Sequence, residues 1–148
     1  MTAIDVSPQA LAIAAENAET HNVASWIRFL AGDLFGPLET DERFDFIASN
    51  PPYVADGEME TLPADIRLHE PHLALRAGPK GLDVIERLIE GSPEHLTPRG
   101  LLLMEISPEQ ASAVAERLSA DGRYEPARML NDAAGKCRVV VARVRSDS

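Results

Sequence analysis

The chain is poor in cysteine, in aromatic residues and in positive charge, and it has no long apolar run. Its single cysteine, Cys137, excludes an intrachain disulfide and, at the start of a strand-like run, reads as a small buried side chain. The four histidines, His21, His69, His72 and His95, make no metal-ligand pattern, because His69 and His72 are close in sequence but lack companions. Fourteen Lys and Arg against 24 Asp and Glu leave a net charge of -10, with the acids spread along the chain instead of gathered in a tail. That balance argues against a nucleic-acid binder working by broad phosphate neutralisation and favours a protein or small-molecule partner. No apolar stretch approaches the ~20 residues of a membrane-spanning helix. The N-terminus lacks a basic-plus-apolar signal, so the expected location is the cytoplasm of a bacterial-type cell. With 148 residues and ordinary apolar content, the chain is expected to form one domain, 1–148, with a real core.

What is present centres on Asn50-Pro51-Pro52-Tyr53 and the run Phe44 to Ser49 before it. That run is short, β-prone and mostly apolar, as a strand buried on both faces of a parallel sheet would be. Two prolines stop it. Proline lacks an N–H, fixes its own φ and forces its predecessor into extended backbone, so a stiff loop is expected just past the strand end. Open α/β sheets place ligands at that edge. Asn50 offers a carbonyl acceptor and an NH2 donor pair, and Pro51 a backbone carbonyl of restricted direction. Two converging acceptors can hold both hydrogens of a planar NH2 group, with Tyr53 as an apolar wall with a polar tip. The alternative is an ordinary turn in which Asn50 bonds to nearby backbone.

Earlier in the chain, Thr2 to Val6 reads as a strand ending in an acid, and Ser7-Pro8 as a helix N-cap with proline at the first helical position. Leu11, Ala14, Ala15 and Ala18 continue at helical spacing to about His21. Asp5, at a strand end that opens a helix, is placed to accept from ribose hydroxyls, or to serve a turn or the helix dipole. Trp26 to Ala31 forms the next strand, with Trp26 expected in the core or at the strand edge. Asp33 follows in Gly32-Asp33-Leu34-Phe35 and would lie beside Asp5 if the two strands are neighbours. It is then either an acceptor for an exocyclic amine or a turn aspartate. Val54 to Gly81 reads as an irregular stretch, a functional lid or a binding loop. Its Glu70 would orient the Asn50 loop, line a pocket, or sit in solvent. Leu82 to about Gly91 is an amphipathic helix, Leu101 to Ile106 a strong strand, and Ser107 to Gln110 a capping box opening a helix through Leu118. Tyr124–Leu130 and Cys137–Val144 are strands whose short link demands an antiparallel hairpin. The order implies an α/β fold, a mostly parallel sheet with an antiparallel C-terminal hairpin.

These motifs, in this order, resemble the catalytic domain of the class I S-adenosylmethionine-dependent methyltransferases. The closest likeness is to the HemK family, the N(5)-glutamine methyltransferases of peptide chain release factors. The resemblance runs through Asp5-Val6-Ser7-Pro8, Gly32-Asp33-Leu34-Phe35, Asn50-Pro51-Pro52-Tyr53, Glu70-Pro71, Gly81-Leu82, Glu105-Ile106 with Gln110, and Asp132-Ala134-Gly135-Arg138. Asn-Pro-Pro-Tyr is shared with enzymes that methylate adenine or guanine amines; the Glu-Pro and Asp-x-Ala-Gly-x-x-Arg pieces narrow the likeness to the glutamine enzymes. The resemblance implies a Rossmann-like fold and S-adenosylmethionine as cofactor, with Asp5 at the ribose, Asp33 at the adenine, and Leu34 and Asn50 also in contact with it. It also implies that Asn50 and the Pro51 carbonyl grip the glutamine amide of a release factor's Gly-Gly-Gln loop, with Pro52, Tyr53 and Glu70 on the substrate.

By the same resemblance, a glycine-rich loop and the first, central strand would lie upstream of Met1, as would a helical domain. Ala77 to Gly81 lacks a fuller Gly-Gly-x-x-Gly pattern, and Ser107 stands where glycine is usual. Two further readings therefore stand beside the glutamine enzyme: a nucleic-acid amino-methyltransferase, and a non-catalytic module whose sheet is completed by a partner chain or a second copy.

Overall fold

The computed structural model describes residues 1–69 and 71–146. They form two compact units, Met1–Glu42 and Arg43–Ser148. Glu70 lies outside the described residues.

In the first unit, strand β1 (Thr2–Asp5) leads into helix α1 (Pro8–Thr20), and strand β2 (Arg28–Ala31) pairs parallel to β1 with Asp5 opposite Ala31. Helix α1 starts as its sequence dictates. The Ser7 side chain accepts from the Ala10 N–H at 3.2 Å, and Pro8 fills the first turn, where an N–H would have no partner. The Gly32 N–H then donates to the Asp5 carbonyl at 3.0 Å, extending the ladder one step past the strand ends. Trp26 departs from expectation. It closes a single 3-10 turn, Ala24–Trp26, ahead of β2 and is 75% exposed, because it stands outside the in–out alternation of the strand.

In the second unit, strands β3 (Phe44–Ser49), β4 (Leu96–Glu105), β5 (Arg128–Asn131) and β6 (Cys137–Arg143) form a sheet of order β3-β4-β6-β5. β3 and β4 are parallel; β4–β6 and β5–β6 are antiparallel. The mostly parallel sheet read from the sequence is thus a mixed set of ladders, divided between two hydrogen-bonded sheets, because the C-terminal hairpin brings two antiparallel ladders with it. Helices α4 (Asp83–His95) and α5 (Ala111–Asp121) pack on each other and on β4 and β6. Beneath them Leu102, Met104, Val140 and Ala142 are fully buried, against Ile85, Leu88 and Ile89 of α4 and Val114 and Leu118 of α5. Each of these side chains other than Ala142 contributes about 2 kcal/mol by leaving water. β3 is not buried on both faces: it is an edge strand, and Phe46, on the face opposite to Ile47 and Ser49, is 67% exposed.

Two strand details shape this unit. Phe44 pairs with Leu96 but Phe46 pairs with Leu101, so β4 carries extra residues across the Pro98-Arg99-Gly100 region, where Arg99 has φ 67°. β4 therefore begins at Leu96, earlier than the apolar run suggests. Helix α4 continues past Gly91 and through Pro93. Proline cannot donate to the carbonyl four residues back, that of Ile89. The Tyr124 hydroxyl, 2% exposed with its residue, supplies the missing donor at 2.7 Å. Burial pushes the Tyr124 phenol well above its ordinary value, so it stays a donor.

Residues 54–81, expected to be irregular, contain a 3-10 segment (Asp56–Thr61) and two short helices, α2 (Ala64–His69) and α3 (His72–Leu75). Among the described residues, no helix is long and apolar enough to cross a membrane, and no group of three or more His, Cys, Asp or Glu side chains could hold a metal ion.

Candidate functional site

In the first unit, Asp5 and Asp33 are brought to the same edge. Asp5 ends β1, Asp33 follows β2 by two residues, and the Gly32–Asp5 bond joins their backbones. One carboxylate oxygen of Asp5 accepts the Ser7 N–H at 2.8 Å, which aims the side chain along the strand end; the group is exposed. Asp33 opens a turn closed by Gly36 N–H on its carbonyl at 3.0 Å, and Leu34 holds φ 49° inside that turn. A leucine in left-handed backbone costs about 1 kcal/mol, and such strain collects at functional sites. Gly32 is fitted to this turn because a Cβ there would lie 2.8 Å from the Pro37 side chain. Two carboxylates at the carboxyl edge of paired parallel strands suit the hydroxyl and amine donors of a nucleoside.

In the second unit, β3 delivers Asn50-Pro51-Pro52-Tyr53 at its carboxyl end. Asn50 is exposed, Pro51 buried, and Pro52 and Tyr53 half-buried. Among the described residues the Asn50 side chain and the Pro51 carbonyl have no hydrogen-bond partner, so the local backbone bond of the ordinary-turn alternative is not made. Asn50 also borders an open depression of about 310 Å³ lined by Ala48, Ser49, Leu103, Met104, Glu105 and Val139. Glu105 ends β4 opposite Val139 of β6, so it adds a carboxylate to the same edge as the Asn50 amide.

The loop is held from behind. The Gln110 amide NH2 donates to the Tyr53 carbonyl at 3.0 Å and to the Gly81 carbonyl at 2.8 Å. Its Oε1 accepts the Ser107 N–H at 3.2 Å. With two carbonyls on one side and an N–H on the other, the amide has only one consistent orientation. Past Tyr53, Val54 N–H donates to Leu75, Ala77 N–H to Val54 and Asp56 N–H to Gly78, each at 2.9 Å. Asp56 and Arg76 close the strip with an ion pair at 2.6 Å, and that hydrogen bond holds the Asp56 carboxyl below its ordinary value. Gly81 has φ +70°, and a Cβ there would lie 2.3 Å from the Tyr53 oxygen and 2.8 Å from Gln110 Nε2.

The Asp-x-Ala-Gly-x-x-Arg piece has a local explanation. Asp132 accepts the N–H groups of Ala134 at 2.9 Å and Lys136 at 3.0 Å, and Arg138 Nε at 3.4 Å. Those backbone bonds first, then Arg138, lower its pKa. Gly135 supplies φ +78° in the β5–β6 turn. The Arg138 carbonyl then accepts from Ile106 N–H, which fixes the end of β4 beside the site. Cys137, half-buried in the hairpin, has its sulfur 3.8 Å from that of Met129.

Sequence reasoning singled out Asp5, Asp33, Leu34, Asn50, Pro51, Pro52 and Tyr53, and the structure groups the first three in one unit and the last four in the other. It missed Gln110 and Gly81 as parts of the loop's support. Spacing gave Gln110 as a helix cap, and nothing local marks a contact spanning 57 residues.

Residues 1–75 match the family described as methyltransferase small domain. The release factor glutamine methyltransferase of Cereibacter sphaeroides is 46% identical over 142 residues, 96% of this chain and 50% of that protein. That of Gloeobacter violaceus is 39% identical over 139 residues, 94% of this chain and 48% of that protein. The chain thus spans about half the length of the curated relatives it matches. Among solved structures, a ribosomal protein L11 methylase from Lactobacillus delbrueckii subsp. bulgaricus superposes with a TM-score of 0.68 at 16% identity. The match covers 97% of this chain and 57% of that one and supports the Rossmann-like α/β fold. These matches bear out the resemblance read from the motifs, and the chain belongs to the methyltransferase small domain family.

Proposed function

We propose that this chain takes part in S-adenosylmethionine-dependent methylation of a side-chain amide nitrogen, that of the glutamine in the Gly-Gly-Gln loop of a peptide chain release factor. One observation carries the reading. The Asn50 side chain and the Pro51 carbonyl, two acceptors at a strand end, have no partner among the described residues, while the backbone just beyond them is pinned at Tyr53 and Val54. The names of the curated relatives agree with it. The net charge of -10 suits a protein substrate better than a polyanionic one.

The first-unit acids fit the cofactor's nucleoside: Asp5 for ribose hydroxyls, Asp33 for the adenine amine, with Leu34 beside it. S-adenosylmethionine, when bound, supplies an electrophilic methyl group. The remaining chemistry falls to this chain's residues. An amide nitrogen is a weak nucleophile because its lone pair is delocalised into the carbonyl. Acceptors at Asn50 Oδ1 and the Pro51 oxygen take its two N–H groups, fix its plane and direct its lone pair. Both bonds strengthen as those N–H groups become acidic during attack. The proton leaves after transfer, so no strong base is required. Tyr53 and Pro52 form the wall against which a flat amide packs.

The test is to incubate the chain with S-adenosylmethionine and a Gly-Gly-Gln peptide or whole release factor, with mass-spectrometric readout. One methyl group on glutamine is expected, none with Gly-Gly-Glu, and a loss of about 10²-fold or more in the Asn50→Ala variant. Methylation of an adenine-bearing oligonucleotide in place of the peptide would refute the assignment, as would an unimpaired Asn50→Ala variant.

A further inference from the structure

The geometry points to Gln110 as the positioning residue of the Asn50–Tyr53 loop, acting on the substrate amide through the Tyr53 carbonyl; the effect on rate rests on the function proposed above. Gln110 does two separable jobs. Its Oε1 serves the capping box at the start of the α5 segment, a task that glutamate performs equally well. Its NH2 group performs a second task that glutamate cannot, donating one hydrogen to Tyr53 and one to Gly81. Those carbonyls belong to the loop after β3 and to the turn before α4. One side chain, 9% exposed, thus ties three separate segments together.

The tie reaches the acceptors because the loop between them is stiff. From the Tyr53 carbonyl back to Asn50 the chain runs through Pro52 and Pro51, whose rings fix φ. Few torsions remain to absorb a shift. Movement of the Tyr53 carbonyl therefore displaces the Pro51 oxygen and the Asn50 side chain, and a misplacement of about 1 Å costs on the order of 10²-fold in rate. Gly81 shows the junction has no slack, since even a methyl group there would strike the Tyr53 oxygen at 2.3 Å.

Three variants separate positioning from capping. Gln110→Glu keeps the cap acceptor but sets an oxygen against two carbonyls; Gln110→Met removes both functions; Ser107→Ala weakens the cap and leaves Tyr53 alone. The readouts are kcat and KM on a Gly-Gly-Gln peptide, and amide hydrogen exchange at 53–56, 75–81 and 111–121. For both Gln110 variants, kcat is expected to fall about 10²-fold with KM for S-adenosylmethionine unchanged. Exchange is expected to quicken at 53–56 and 75–81. Ser107→Ala should keep wild-type kcat and quicken exchange only in α5. Wild-type kcat and loop exchange in Gln110→Glu, or changes confined to α5, would overturn the proposal. A wild-type chain that methylates no peptide, but whose loop loosens in both Gln110 variants, would uphold the positioning role and refute the assigned function.

Discussion

Replacing Gly81 by alanine tests the tightness of the loop's support, and Gly122 provides a matched control. Both glycines are left-handed, at φ +70° and +76°, and both lie in the second unit. They differ in surroundings: nothing lies within 4 Å of a Cβ at Gly122, whereas one at Gly81 would sit 2.3 Å from the Tyr53 oxygen and 2.8 Å from Gln110 Nε2. The backbone penalty of about 1 kcal/mol is therefore common to both. Gly81→Ala must in addition push the Tyr53 carbonyl off Gln110, leaving buried polar groups short of partners at about 1–3 kcal/mol. At roughly 3 °C per kcal/mol for a chain of this size, Gly122→Ala should lower the melting temperature by about 3 °C and Gly81→Ala by about 6–12 °C. Differential scanning calorimetry reads the difference directly. Equal shifts in the two variants would show that the Gly81 junction has room for a methyl group, and the rigid-loop reasoning would fall with it.

Tyr124→Phe should cost about 1–3 kcal/mol by urea denaturation, because it strips the Ile89 carbonyl of the donor that replaces the one Pro93 lacks. In a Pro93→Ala background, where a helical N–H is restored, the same change should cost less; an undiminished cost would refute this pairing. For Asp121 the sign follows from its lowered pKa, caused first by the hydrogen bond from Arg123. Its contribution is fully present above the ordinary aspartate value and is lost as pH falls through the lowered one. The stability gap between wild type and Asp121→Asn should accordingly hold at neutral pH and close in acid; a gap that persists in acid would contradict the ion pair. Asp5→Asn keeps an oxygen for the Ser7 N–H but loses the charge, so the fold should survive while affinity for S-adenosylhomocysteine drops about tenfold by calorimetry. Unchanged affinity would remove Asp5 from the cofactor reading.

Features governed by local chemistry were legible in the sequence. Ser7-Pro8 and Ser107–Gln110 announce helix starts, two consecutive prolines announce the end of β3, and the Asn131–Lys136 link forces the β5–β6 hairpin. Strand-end acids placed Asp5 and Asp33 on one edge because parallel neighbours keep their carboxyl ends together. Features governed by distant partners were not legible. The helices α2 and α3 span six and four residues, too short to show a helical period. Pro93 ordinarily marks a helix end, and only Tyr124, 31 positions on, explains why α4 continues. Phe46 and Trp26 read as core by hydropathy, yet an edge strand and a turn outside a strand leave each exposed. Gln110 was visible as a cap, and its second set of partners lay in segments no spacing rule connects to it.

The surplus residues in β4 have a consequence for how the second unit tolerates change. Between the pairs Phe44–Leu96 and Phe46–Leu101 the strand takes up three more residues than its neighbour, around Arg99, whose φ is 67°. A carbonyl of that surplus still serves the sheet, since Val144 N–H donates to Gly100 at 3.0 Å. Leu101 to Met104 then run in unbroken register with β3, and Leu101 to Glu105 with β6. The segment works like an expansion joint: the surplus is taken up around position 98, and the register with both neighbours is regular from Leu101 on. A residue inserted or removed near position 98 is therefore expected to leave the pairing of Leu101 to Met104 intact.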